Sequence, residues 1–320
     1  MNKKSWHIIL ILALLGLVAC LGFIAWHLYK DQQSRETYEE TASQVTIVTA
    51  TPTPTLEDDS SLTVEKIEAQ EFTGSREGKE TKLPSDIFSG RGNPIDFNKL
   101  HAINPDLYAW IRIEDDEIDY PIAQHPTDSE YYLNHDLYGD VAVAGCVFTQ
   151  YVNRKDFKDR NTVIYGHNMN DGHSMFASLH WFEDADFFNK TRYCYIYTAD
   201  KIRVYDIFAA RPYTNDNLMV VFDWKDPQVY REFLNEIFET HSMDCNIREG
   251  VTVTTADRII TLSTCINGQP ENRYLVHAKL VWEGTEAQLE QAQAEIAERD
   301  AANASSPESP DAAEIPEATE

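Results

Sequence analysis

From residue 109 to residue 281 the chain is a succession of short runs rich in β-branched, aromatic and other apolar residues, separated by Gly, Pro, Asn and Asp. The runs fall at 109–113, 118–122, 145–148, 162–165, 193–197, 202–208, 258–265 and 273–281. Each is strand-length, and Gly and Pro punctuate the gaps. Two helical patterns interrupt them: Phe97, Leu100, Ile103 and Leu107 at helical spacing, and Val229, Phe233 and Ile237 on one stripe of residues 227–240. Many short strands with few helices predict an antiparallel barrel or sandwich. Some 190 residues, 91–283, form one domain long enough for a substantial core.

The last two runs carry the chemistry. Cys265 closes the first, residues 266–272 read as a Gly- and Pro-containing turn, and Arg273 opens the second. A hairpin therefore sets a thiol beside a fixed positive charge, which favours the nucleophilic thiolate. A free Cys in an apolar strand is more often a small buried hydrophobe. Strand alternation puts Cys265 on the face of Ser263, Thr261 and Ile259, the more polar side, and so toward a groove. A second candidate is His167, which follows strand 162–165 and Gly166, an end-of-strand position where chemistry is common. Spacing alone does not choose it over His101, His125, His135, His173, His180, His241 and His277.

The ends of the chain have a different character. Residues 8–26 are uncharged and predominantly apolar, the length of a bilayer-spanning helix. Lys3 and Lys4 precede the run, which predicts a cytoplasmic N-terminus and an external remainder. Residues 17–20 resemble a bacterial lipobox ending in Cys20, but the apolar stretch continues to Trp26, which favours an uncleaved anchor. Residues 1–30 are thus expected to be a stub and transmembrane anchor. Residues 31–90, with a Thr/Pro stretch at 49–55 and an acidic one at 57–61, are expected to be an extended linker. Residues 284–320 are Ala- and Glu-rich: Leu289, Ala292 and Ile296 predict a helix, and the last twenty positions, without Lys or Arg, predict disorder. The net charge of −26 excludes a nucleic-acid-binding protein. Cys146, Cys194 and Cys245 show no zinc-type spacing, and no metal or other cofactor is implied.

Taken together, residues 165–169 (Tyr-Gly-His-Asn-Met), 261–265 (Thr-Leu-Ser-Thr-Cys) and Arg273 resemble the sortases, specifically class B. The likeness continues through residues 103–111, 118–122, 131–134 and 258–260, in order along the whole domain. It implies a closed eight-stranded β-barrel with N-terminal helices and one inserted helix, which residues 227–240 would supply. It implies a thiol transpeptidase on the outer face of a Gram-positive membrane, with Cys265, His167 and Arg273 as the catalytic set. Such an enzyme cuts a C-terminal sorting motif of the Asn-Pro-X-Thr-X kind after Thr. It then passes the acyl group from a Cys thioester to a peptidoglycan amine. By the same likeness Leu133, Tyr165, Thr214, Leu218 and Ser263 would line the peptide groove. The chain departs from the class pattern at Ile266 and Asn267, where an acidic residue is frequent, and at Leu218 and Ser129. Three other readings share parts of this set: a pilin-polymerising sortase using a Lys acceptor, a cysteine endopeptidase using water, and a non-catalytic adaptor that keeps the barrel.

Overall fold

The computed structural model describes residues 3–46, 92–240 and 242–305, without the side chains of residues 3–11. Nine strands form one sheet: β1 (Leu107–Ile113), β2 (Asp119–Ala123), β3 (Val147–Thr149), β4 (Asn161–Tyr165), β5 (Tyr193–Tyr197), β6 (Ile202–Thr214), β7 (Asn246–Ile247), β8 (Ile259–Ile266) and β9 (Gln269–Gly284). Neighbours run in the order β5-β1-β2-β3-β4-β8-β9-β6, and β5 pairs back onto β6, so eight strands close a barrel; β7 only borders β6. The barrel is not wholly antiparallel, as expected, but mixed: β2 pairs with β3 and β4 with β8 in parallel. Closure removes the open edges that a sandwich would leave.

One wall is buried on both sides, which explains its near-continuous apolar runs. Ile164, Ile260, Leu262 and Val276 point into the barrel core around Trp110 and Tyr205. Their neighbours Val163, Ile259 and Leu275 point outward, into a second cluster with Tyr230, Phe233, Leu234 and Ile237. Those four lie on α5 (Pro227–Glu239), whose first turn is capped by the Asp226 side chain on the Gln228 N–H, with Pro at the start. Arg160 donates to the Trp224 and Lys225 carbonyls at 2.8 and 2.7 Å and fastens that end to the wall. The helix expected over 227–240 is therefore the outer lid of the wall that carries Cys265.

The N-terminal region departs from the expected linker. A single helix, α1 (Lys3–Val45), runs through the region where an extended linker was predicted to begin. Tyr38, Thr41 and Val45 share one face and are at most 4% exposed. The Tyr38 hydroxyl donates to the Gly145 carbonyl at 2.5 Å. Thr46 then bridges to Ile95, and the Asp96 N–H donates to the Val45 carbonyl at 2.7 Å. The chain thus leaves the barrel at residue 46 and returns to the same spot at residue 95. The Thr/Pro and acidic stretches lie outside the described residues, between two ends fixed side by side. They do not separate the apolar N-terminus from the barrel; α1 spans that distance alone. The physical reason is that three buried side chains at helical spacing outweigh a polar composition.

Within α1, Leu12, Leu15, Val18, Phe23 and Ile24 are all more than half exposed. Among the described residues no helix is long and apolar enough to cross a membrane, and the run 8–26 lies only partly within them. Two more helices complete the frame. In α2 (Phe97–Ile103) the Asp96 carboxylate caps the first turn, and Leu107, expected on its stripe, instead begins β1. In α6 (Glu286–Ser305), Leu289 and Ile296 pack back onto the barrel at 4% and 9% exposure. The expected disordered end, 306–320, lies outside the described residues.

Candidate active site

The hairpin of β8 and β9 is tighter than the sequence suggests. Ile266 pairs with Gln269 around a two-residue Asn267-Gly268 turn, in which Gly268 takes φ 74°. The residues predicted as turn, 269–272, instead extend β9. Cys265 lies directly opposite Arg273, and the register slips between Cys265 and Ile266, a β-bulge. Pro270, which cannot donate to a ladder, is accommodated there. Both faces of residues 259–264 are buried, and Cys265 is the first exposed position. The polar-face argument for its exposure therefore gives way to a simpler one: the α5 cover ends before the strand does.

His167 reaches the same end of the wall because β4 and β8 run in parallel, with Tyr165 opposite Ser263. The pairing continues past the ladder. The Gly166 N–H donates to the Ser263 carbonyl at 3.1 Å, and the Thr264 hydroxyl donates to the Gly166 carbonyl at 2.9 Å. His167 and Cys265 are the next residues along each chain. Gly166 is required by packing: a Cβ there would lie 2.5 Å from the Cγ of Phe176, which is fully buried. The His167 ring is half-buried, and its Nε2 sits 2.6 Å from the Leu133 carbonyl. With Nε2–H donating there, Nδ1 is the nitrogen left for proton transfer. The Arg273 Nη1 donates to the Pro270 and Asn272 carbonyls at 3.0 and 2.9 Å, which fixes the guanidinium at the hairpin.

The competing groups are unsuited to this chemistry. His277 is completely buried, bonded to the Thr261 hydroxyl at 3.0 Å, and burial pushes its pKa well below the usual histidine value. Cys146 and Cys194 are buried free thiols; burial pushes both up, Cys146 to about 12. A buried neutral thiol is a poor nucleophile.

The expected groove residues divide. Leu133 is 45% exposed beside His167. Tyr165 is half-buried, stacked on Phe148, with its hydroxyl 3.5 Å from Asn217. Thr214 is exposed at the end of β6, its hydroxyl donating to Asp216 at 2.6 Å. Leu218 and Ser263 are corrections: they are 2% and 6% exposed and offer almost no surface to a peptide. Leu218 packs under α5, and the inward cover of Ser263 follows from its place in the doubly covered wall. Sequence reasoning missed Asn168 and His180, which both contact the Cys265 carbonyl. Asn168 adjoins His167 and could have been flagged; nothing in the sequence connects His180 to Cys265.

An exposed thiol facing a guanidinium, with an imidazole on the adjoining strand end, equips a closed barrel for covalent acyl transfer through sulfur. Comparison with known proteins agrees. The pattern of the Sortase domain family matches residues 111–281. Sortase B of Listeria monocytogenes (strain EGD-e) is 36% identical over 185 residues, 57% of this chain and 72% of that protein. Sortase B of Staphylococcus aureus (strain NCTC 8325) is 31% identical over 189 residues, 58% of this chain and 74% of that one. The X-ray structure of Clostridium perfringens sortase B aligns with a TM-score of 0.53 at 30% identity, covering 58% of this chain and all of that one. The S. aureus sortase B–substrate complex aligns with a TM-score of 0.51 at 29% identity, covering 58% and 84%. Another sortase B, solved in complex with triglycine, aligns with a TM-score of 0.51 at 29% identity, covering 58% and 85%. The chain belongs to the sortase family, class B, and is a cysteine transpeptidase.

Proposed function

We propose that Cys265, His167 and Arg273 carry out a transpeptidation that cuts an Asn-Pro-X-Thr-X-like C-terminal sorting signal after Thr and joins it to a peptidoglycan amine. The observation that carries this reading is the direct pairing of exposed Cys265 with Arg273, beside the strand end that leads into His167. The Cys265 thiolate attacks the Thr carbonyl carbon, and the Arg273 guanidinium hydrogen-bonds the resulting oxyanion or the substrate backbone. The C–N bond breaks as His167 gives its proton to the departing amine, leaving a thioester on Cys265. An incoming amine gives its proton back to His167 and attacks the thioester. The thiolate leaves, and a new amide bond has replaced the old one. The triglycine complex of a relative supports an amine-terminated acceptor. Leu133, Tyr165 and Thr214, exposed or half-buried, are the groove positions this reading retains.

The same reading puts the enzyme at the outer face of a membrane, held by residues 8–26. What supports it is an uncharged apolar run on α1 whose described side chains stand exposed. Because α1 continues onto the barrel, the catalytic end would stand at a set height above the bilayer rather than swing on a tether.

The test is to offer the enzyme a labelled sorting peptide with and without a triglycine or a Lys-bearing acceptor. Amine-dependent formation of a ligated product is expected, with triglycine preferred. Hydrolysis alone, whichever amine is offered, would refute transfer, and preference for a folded Lys-bearing subunit would redirect it to pilus assembly.

A further inference from the structure

The bulge at Cys265 leaves the nucleophile's own main-chain carbonyl outside the regular β8–β9 ladder. That carbonyl is taken by two side chains from other segments. The Asn168 amide donates to it at 2.8 Å, and the His180 Nε2 lies 2.9 Å from it. The two side chains also touch each other, Nδ2 to Nε2, at 3.0 Å. On its far side the His180 Nδ1 sits 2.6 Å from the Glu183 carboxylate, and its ring packs 5.2 Å from that of Tyr274, the β9 residue after Arg273. The segment carrying both, a 3-10 helix over Ala177–Glu183, is pinned at its end by Asn246, which donates to the Phe182 and Glu183 carbonyls at 2.8 and 3.1 Å.

We propose that His180, braced by Glu183, is a positioning residue that together with Asn168 fixes Cys265 in register with His167. The inference rests on the reading of Cys265 and His167 as nucleophile and proton carrier. Three segments meet at one carbonyl: the strand end that bears the thiol, the loop that bears the imidazole, and the 3-10 helix. The network stays closed in either protonation state of His180. With Nε2 protonated, the ring donates to Cys265. With only Nδ1 protonated, it donates to Glu183 and accepts from the second N–H of Asn168. A strand end beyond its last regular ladder bond is otherwise free to fray. A displacement of about 1 Å between nucleophile and proton carrier can cost about a hundredfold in rate.

The test compares His180→Leu, which fills the space without a donor, with His180→Gln, whose amide can reach the same carbonyl. His180→Leu is expected to lower kcat about ten- to a hundredfold with KM unchanged, and His180→Gln to restore it to within a few-fold of the native enzyme. Glu183→Gln should fall between them. Iodoacetamide labelling of Cys265 and thermal melting, measured on each variant, report the thiol and the fold independently of peptide turnover. A folded His180→Leu enzyme with native kcat would overturn the proposal, as would equal losses in His180→Leu and His180→Gln. If His180→Leu misfolds, Glu183→Gln alone decides: native kcat refutes the brace, and a reduced kcat at native KM supports it. Cys265→Ala separates the two levels. Should it retain transfer, the catalytic reading fails; should it abolish transfer while His180→Leu is silent, only the positioning role fails.

Discussion

Replacing Gly166 by Ala joins the packing of the barrel to its chemistry at one methyl group. The new Cβ would lie 2.5, 2.8 and 3.0 Å from Cγ, Cδ2 and Cβ of Phe176. Carbon atoms pack at roughly 3.5–4.0 Å, so the two groups must separate by about 1 Å. Phe176 is fully buried and bonded back to the His167 carbonyl by its N–H at 2.9 Å, so it has nowhere to retreat. The displacement therefore falls on the end of β4, which carries His167 away from Cys265. Overpacking of this kind costs about 1–3 kcal/mol, or about 2–12 °C in Tm for a domain of this size. The rate should suffer more than the fold: a shift of about 1 Å at the proton carrier lowers kcat about a hundredfold. Thermal melting followed by circular dichroism and a fluorogenic sorting-peptide assay measure the two effects on the same sample. A Gly166→Ala enzyme that melts and turns over like the native protein would show that the His167 loop is not set by this contact.

Two other perturbations probe the frame. Tyr38→Phe removes the donor to the Gly145 carbonyl and leaves that oxygen buried, so the chain from α1 onward should lose about 1–3 kcal/mol; an unchanged melting curve would mean that α1 does not dock. Asp116 is mostly buried, and desolvation, only partly offset by the nearby Ser178 hydroxyl and the Glu117 and Ile118 amides, pushes its pKa up from 3.8 to about 6. A carboxyl raised in the folded state stabilises fully below about pH 4 and loses that contribution as the pH rises through about 6. Asp116→Asn should therefore raise Tm at pH 8, by up to about 3 kcal/mol in stability, and give little gain at pH 4. A gain that does not change with pH would contradict the assignment.

The sequence made the wall strands and the Cys265–Arg273 hairpin legible because β-branched runs bounded by Gly and Pro have few alternatives. It hid the second half of β6, where Ala209, Ala210, Arg211 and Pro212 are poor strand formers held by pairing to β9 on one side and β7 on the other. It hid the two-residue β7 entirely, since a strand that short has no period. The parallel pairing of β4 with β8, which delivers His167, is a long-range fact that no local pattern encodes. The continuation of α1 was present as Tyr38, Thr41 and Val45 at helical spacing but was masked by polar neighbours. Leu218 and Ser263 were expected in the groove because family likeness assigns positions, whereas burial depends on how α5 and the strand end sit in this chain. The clamp on the Cys265 carbonyl joins residues 168, 180 and 265, and only the folded barrel brings them together.

The most direct measurement is the mass of the Cys265 peptide after brief exposure to a sorting peptide and an acid quench. An adduct equal to the acyl portion ending in Thr should appear on Cys265, discharge when a triglycine amine is added, and be absent in Cys265→Ala. Ligated product forming with no such adduct, or with the acyl group on another residue, would contradict a thioester mechanism at this site.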